Sequence, residues 1–129
     1  MLRGNGGDDQ LFGGIGSDRL MGGHGNDGLV GGNGSDRLSG GFGADVFMVE
    51  VLEGTDIVYD FTDGEDLLTL APNLSVDELT IMSASDVHLG GLGMTLDPNQ
   101  SHTVISQGDT PLMVLLNVDS GFITDTDIV

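Results

Sequence analysis

The chain has 129 residues, the size of one domain, with no cysteine and therefore no disulfide framework or thiolate chemistry. Three arginines and no lysine stand against 21 acids, giving a formal charge of −18, which excludes nucleic acid and an anionic membrane surface as partners. No apolar run approaches the ~20 residues of a membrane span, and no basic start followed by an apolar stretch marks an N-terminal export signal.

Glycine is 23 of 129 residues, well above the usual ~7%. With 38% hydrophobic residues the chain is too apolar for a disordered polyanion. So much uncompensated charge on a foldable chain calls for a neutralising partner. A hard cation fits, because carboxylates and carbonyls are its preferred ligands.

Sixteen of the glycines lie between Gly4 and Gly43 and recur with a period of nine. The units are 4–12 (GNGGDDQLF), 13–21 (GGIGSDRLM), 22–30 (GGHGNDGLV), 31–39 (GGNGSDRLS) and 40–48 (GGFGADVFM). Position 1 is always Gly, position 2 is Gly in all but Asn5, and position 4 is always Gly. Position 6 is always Asp (Asp9, Asp18, Asp27, Asp36, Asp45), and position 8 is always large and apolar (Leu11, Leu20, Leu29, Leu38, Phe47). Counting back nine from Leu11 reaches Leu2, so Leu2-Arg3 correspond to positions 8 and 9 of a preceding repeat. Met1 then reads as a start placed on a piece of a longer protein, whose upstream domain is an expected partner.

This pattern resembles the calcium-binding nonapeptide of RTX proteins, G-G-x-G-x-D-x-U-x. The resemblance implies an all-β fold: a right-handed parallel β-roll in which GGxGxD forms a turn and xUx a short strand. Two units make one coil, so eighteen-residue spacing stacks loop 4–9 on 22–27, 13–18 on 31–36 and 22–27 on 40–45. Position 8 points inward, with Leu11, Leu29 and Phe47 in one column and Leu20 and Leu38 in the other.

Three Ca²⁺ sites are expected, with carboxylate pairs Asp9/Asp27, Asp18/Asp36 and Asp27/Asp45. The family pattern adds main-chain carbonyls from positions 1 and 3 of the earlier loop and positions 2 and 4 of the later one. Those are Gly4, Gly6, Gly23 and Gly25 for the first site, then Gly13, Ile15, Gly32 and Gly34 for the second. Gly22, His24, Gly41 and Gly43 serve the third. A fourth site is expected above Asp36 through Gly31 and Asn33, closed by Asp56 with Glu50 or Glu53, although residues 49–57 lack the glycines of a sixth loop. An acidic solvated turn is the competing reading of that segment.

Beyond Met48 the composition changes: residues 46–129 hold fifteen acids and no basic residue. Strands are predicted at Val46–Val51, Asp56–Phe61, Leu67–Leu70, Leu79–Ser83, Val87–Leu89, Met94–Leu96, Thr103–Ser106 and Leu112–Leu116. Turns fall at Asp63-Gly64, Gly90-Gly91 and Asp97-Pro98-Asn99, with a helical turn within Pro72–Glu78. The domain division is 1–48 for the roll and 49–129 for a mostly antiparallel β cap packed with it, since the last coil of a solenoid must be covered. GADVFMVE (43–50) and DIVYDFTDGEDLLTL (56–70) resemble the C-terminal part of serralysin-type secreted metalloproteases.

The HExxH protease motif is absent and no nucleophile–base–acid set stands out, so the expectation is a module that is not itself an enzyme. The Gly23–Gly28 match to GxGxxG is absorbed by the repeat register, and DFTDGED (60–66) fails the EF-hand spacing. His24, His88 and His102 are expected on the surface. Arg19 and Arg37, eighteen apart, are expected to share a face and pair with acids.

The resemblance implies a calcium-dependent folding and export module, secreted from a Gram-negative-type bacterium by the type I machinery. The ending Asp127-Ile128-Val129 resembles the acid-then-apolar ending of some family members. The competing function is a calcium-dependent carbohydrate- or surface-binding module of an extracellular enzyme or adhesin.

Overall fold

The computed structural model describes residues 1–83, 101–124 and 126–129. The predicted strands Val87–Leu89 and Met94–Leu96, their turns and His88 lie outside the described residues. Eleven strands are described. The repeats supply β1 (Leu2–Gly6), β2 (Gln10–Ile15), β3 (Arg19–His24), β4 (Gly28–Asn33), β5 (Arg37–Phe42) and β6 (Val46–Val49). After them come β7 (Asp56–Val58), β8 (Leu67–Leu70), β9 (Leu79–Ser83), β10 (Thr103–Gln107) and β11 (Thr110–Leu115), with a 3-10 turn at Val76–Glu78.

The strands wind as a parallel solenoid of about four turns. One face is a seven-stranded sheet of order β1-β3-β5-β7-β11-β10-β9; the other is a four-stranded sheet of order β2-β4-β6-β8. Consecutive strands alternate between the faces, so each strand pairs with the one two units along. Leu20 faces Leu38 and Leu11 faces Leu29 across parallel ladders. This is the eighteen-residue register expected from the repeat.

The division of each unit differs from the expectation. Strands take six residues and turns three, because the ladder continues through both glycines, pairing Gly14 with Gly32 and Gly23 with Gly41. The glycine-rich stretch is therefore the second half of each strand as well as the entry to the turn.

One apolar core fills the space between the faces. Leu20, Leu29, Leu38 and Phe47 are fully buried, and the stack continues through Val58, Leu68 and Leu115. The cap extends the roll rather than standing apart from it. Strand β11 pairs in parallel with β7, Val114 facing Ile57, and β10 and β9 then add antiparallel strands. On the other face Ile128 bridges Leu68. Among the described residues no helix is long and apolar enough to cross a membrane.

Candidate metal centre

The turns gather along the two edges of the roll. One edge stacks loops 4–9, 22–27 and 40–45; the other stacks 13–18, 31–36 and the segment ending at Asp56. The glycines are required by close approach. A Cβ on Gly4 would meet the carbonyl of Gly22 at 2.7 Å, and one on Gly22 would meet that of Gly40 at 2.6 Å. Carbonyls of successive coils therefore face the same narrow space at position 1.

The aspartates form two hydrogen-bonded columns. Oδ1 of Asp27 accepts the Asp9 N–H at 2.8 Å, Asp36 that of Asp18 at 2.7 Å, and Asp45 that of Asp27 at 2.9 Å. This use of the first carboxylate oxygen is not visible in the repeat motif. The second oxygen is free. Oδ2 of Asp9, Asp27, Asp36 and Asp45 is buried without a hydrogen-bond partner. A buried carboxylate oxygen with no donor is costly; three of these oxygens, on Asp9, Asp27 and Asp45, line one edge and the fourth, on Asp36, lies in the other column, and a cation would satisfy them.

Carbonyls must supply the remaining oxygens, since among the described residues no group of three His, Cys, Asp or Glu side chains gathers at one point. Many carbonyls with few carboxylates suit a hard ion of high coordination number, whereas zinc prefers imidazole and thiolate. The carbonyls of His24 and Asn33 each accept one N–H, from Gly7 and Gly16 at 2.8 Å, and each keeps a second lone pair. Ile15 is 91% exposed, so its part in any site is confined to the main chain.

A profile of the RTX calcium-binding nonapeptide repeat matches four copies, over residues 1–29 and 22–48. Residues 1–48 are RTX repeats. They bind calcium, and the orphaned aspartate oxygens fit that ion. No curated protein matches the chain significantly. Among solved structures, the extracellular lipase LipA of Serratia marcescens is 24% identical with a TM-score of 0.50, over 95% of this chain but only 19% of the lipase. A subunit of the mannuronan C5-epimerase of Azotobacter vinelandii is 24% identical with a TM-score of 0.49, over 98% of this chain and 80% of that one. The lipase likeness speaks for the fold alone.

Both columns of this RTX roll continue past the repeats. Asp56 Oδ1 accepts the Asp36 N–H at 3.0 Å and Asp66 Oδ1 accepts the Asp45 N–H at 2.9 Å. The spacings are 20 and 21 residues instead of 18, which is why a fixed period does not find Asp66. Segment 49–57 retains one glycine of the motif after all. Gly54 has a φ of 103° and stacks on the Gly34 carbonyl, at the position-4 place after a two-residue insertion. Glu53 offers its main-chain carbonyl to the Gly34 N–H at 2.8 Å, and the Glu50 carboxylate accepts the Gly32 N–H at 3.1 Å.

Asp66 differs from the repeat aspartates because its Oδ2 is also occupied, by the Thr62 N–H at 2.8 Å. It closes its column with hydrogen bonds. Asp60 closes the same loop from outside, accepting from Ser39 Oγ at 2.6 Å and from the N–H groups of Gly40 and Gly41 at 2.9 and 3.0 Å.

Burial pushes the Asp45 carboxyl up to about 6, against the lowering by the Asp27 N–H and helped by the charges of Asp66, Asp27 and Asp60. Burial likewise raises Asp56 to about 7, with repulsion from Asp36 and Glu50 adding to it, and raises Asp66.

His24 lies on the surface as expected, whereas the surface position expected for His102 and the acid pairing expected for Arg19 and Arg37 are corrected. His102 is buried at 5% exposure and its Nδ1 accepts the Asn117 N–H at 3.1 Å, because it leads into β10, an interior strand of the seven-stranded sheet. His24 is exposed, but its ring stacks on Phe42 with centroids 4.9 Å apart. Arg19 and Arg37 do share a face, as direct register partners. Among the described residues neither makes an ion pair with an acid.

Proposed function

We propose that this chain is the calcium-triggered folding and export module of a larger secreted protein. The observation that carries the reading is the set of four buried, unpartnered Oδ2 atoms on Asp9, Asp27, Asp36 and Asp45. Without calcium those charges repel across coils that otherwise share one apolar residue per repeat. Where calcium is scarce the chain stays unfolded and fits a narrow export channel. Outside the cell, millimolar calcium meets the ~10⁻⁴–10⁻³ M dissociation constants of extracellular modules. Binding to the folded form alone then drives folding.

The sites proposed in the repeats are Asp9/Asp27, Asp18/Asp36 and Asp27/Asp45 with the carbonyls of their loops. The type I machinery of a Gram-negative-type bacterium is the proposed exporter and an upstream domain the proposed cargo. Circular dichroism in chelator and in millimolar Ca²⁺ tests the coupling. A largely disordered chain that becomes β-rich with calcium supports it; an unchanged β spectrum in stripped protein overturns it.

One feature favours a second reading, a calcium-dependent carbohydrate- or surface-binding module. Arg19 and Arg37 line a hollow of about 260 Å³ together with Tyr59 on the outer face of the seven-stranded sheet. Binding of an acidic polysaccharide in calcium, lost in Arg19→Ala/Arg37→Ala, would establish it.

A further inference from the structure

We propose that Asn33-Gly34 is a deamidation site that calcium-driven folding closes, so that the chain is modified there only while it is unfolded. It rests on the calcium reading above and adds a modification to it. In the reaction the Gly34 amide nitrogen attacks Cγ of the Asn33 side chain. A C–N bond forms to close a succinimide ring, the bond to the side-chain nitrogen breaks, and ammonia leaves with the displaced proton. Water then opens either imide carbonyl, giving aspartate or isoaspartate. Asparagine before glycine reacts readily, because glycine has no side chain to block the attack and its backbone turns freely.

The chain holds two Asn-Gly pairs, Asn5-Gly6 and Asn33-Gly34. Their intrinsic chemistry is the same, so the fold sets any difference between them. The Asn33 side chain is exposed, but the attacking nitrogen is engaged: the Gly34 N–H donates to the Glu53 carbonyl at 2.8 Å. Gly34 has a φ of 135° and sits so close to Gly16 that a Cβ on it would collide with the Gly16 carbonyl. The Asn33 carbonyl in turn accepts the Gly16 N–H at 2.8 Å. The dipeptide is thus pinned by the coil before it and by the segment after it, and the ring closes only after local opening. Asn5-Gly6 lies in β1, the end strand of its sheet, held by β3 alone. Among the described residues a Cβ on Gly6 would meet nothing within 4 Å.

Isoaspartate at position 33 would route the main chain through the former side chain and lengthen it by a carbon. The Gly34 N–H is then displaced from Glu53, and the carbonyl that accepted the Gly16 N–H becomes a pendant carboxylate. A chain that waits too long without calcium loses this edge of the roll, whereas a folded chain keeps it.

The test uses the full chain, incubated at neutral pH in chelator and in millimolar Ca²⁺. Peptide mass spectrometry follows conversion at each asparagine, with circular dichroism on the same samples. In chelator Asn5 and Asn33 should convert at rates within about twofold of each other. In calcium Asn33 should slow by at least about tenfold and fall behind Asn5. Equal slowing at the two positions, or none at Asn33 in a chain that has become β-rich, overturns the proposal. When chelator-aged chain is given calcium, isoaspartate at 33 should be confined to the fraction that stays unfolded, while Asn33→Asp, with an ordinary backbone, should fold. Isoaspartate-33 chains that fold at the unsubstituted calcium midpoint overturn the claimed damage. A chain equally β-rich in both buffers would instead remove the calcium reading, and the rate at Asn33 against Asn5 in it still decides whether the fold closes the site. A chain disordered in both buffers overturns both.

Discussion

Asp27→Asn separates the two tasks of a column aspartate. The asparagine side-chain oxygen can still accept the Asp9 N–H, now 2.8 Å from Asp27 Oδ1, while the charge at the orphaned Oδ2 is lost. Strands of adjacent coils are ~4.8 Å apart, and two unit charges at that separation repel by about 3 kcal/mol at an effective dielectric of ~20. Asp27, at 1% exposure, has such a neighbour on each side, Asp9 and Asp45. Asp9, which is half-buried, has a described neighbour on one side only. In chelator, Asp27→Asn therefore relieves two repulsions and Asp9→Asn one, and Asp27→Asn should hold more β structure than the unsubstituted chain.

In calcium the sign reverses. If each lost carboxylate weakens one site by about tenfold, Asp27→Asn weakens two ions and Asp9→Asn one. With three repeat ions bound in one folding step, the calcium midpoint scales as the cube root of the combined loss. It rises about fivefold for Asp27→Asn and about twofold for Asp9→Asn. Calcium titrations followed by circular dichroism in one buffer read both numbers. Equal shifts, a larger shift for Asp9→Asn, or loss of chelator-state structure in Asp27→Asn would refute the reasoning.

Mg²⁺ should not replace Ca²⁺, because it demands near-octahedral geometry and keeps its waters; equal folding midpoints for the two ions would contradict the carbonyl-rich sites. The folded carboxyls of Asp45 and Asp56 sit at about 6 and about 7 against 3.8 ordinarily, so the fold holds protons that the unfolded chain releases. Calcium-free protein should therefore gain β structure as pH falls from 8 to 5 and lose it as pH rises back through 7, by circular dichroism in chelator. Asp66→Ala should strip the acceptor from the Asp45 and Thr62 N–H groups and cost about 1.5–3 kcal/mol per bond in calcium-saturated urea melts. Its calorimetric calcium stoichiometry should be unchanged. Leu29→Ala should cost about 2–5 kcal/mol in the same melts, while Phe12→Ser, at a position 61% exposed, should stay within about 0.5 kcal/mol.

The sequence by itself determined the repeat half. A strict period of nine fixes which side chains recur on each edge, so the columns Leu11–Leu29–Phe47 and Asp9–Asp27–Asp45 follow from counting. The calcium chemistry came from the resemblance of that glycine–aspartate unit to the RTX nonapeptide, with the excess of acids pointing to a cation. The choice of strand over turn for the glycines did not follow, because a ladder forms only when a neighbouring coil is present to pair with Gly32 or Gly41.

Tertiary structure decided how the Asp45 column ends. The sequence already set Asp56 above Asp36, but only a loop that absorbs a three-residue insertion brings Asp66 to the Asp45 N–H. Tertiary structure also joined β7 to β11, a pairing of Ile57 with Val114 that no short-range pattern records. That pairing set the course of the cap and, through the strands laid beyond β11, placed His102 inside. A repeat writes its geometry into every unit, whereas contacts between distant, unrelated segments depend on how far intervening loops reach.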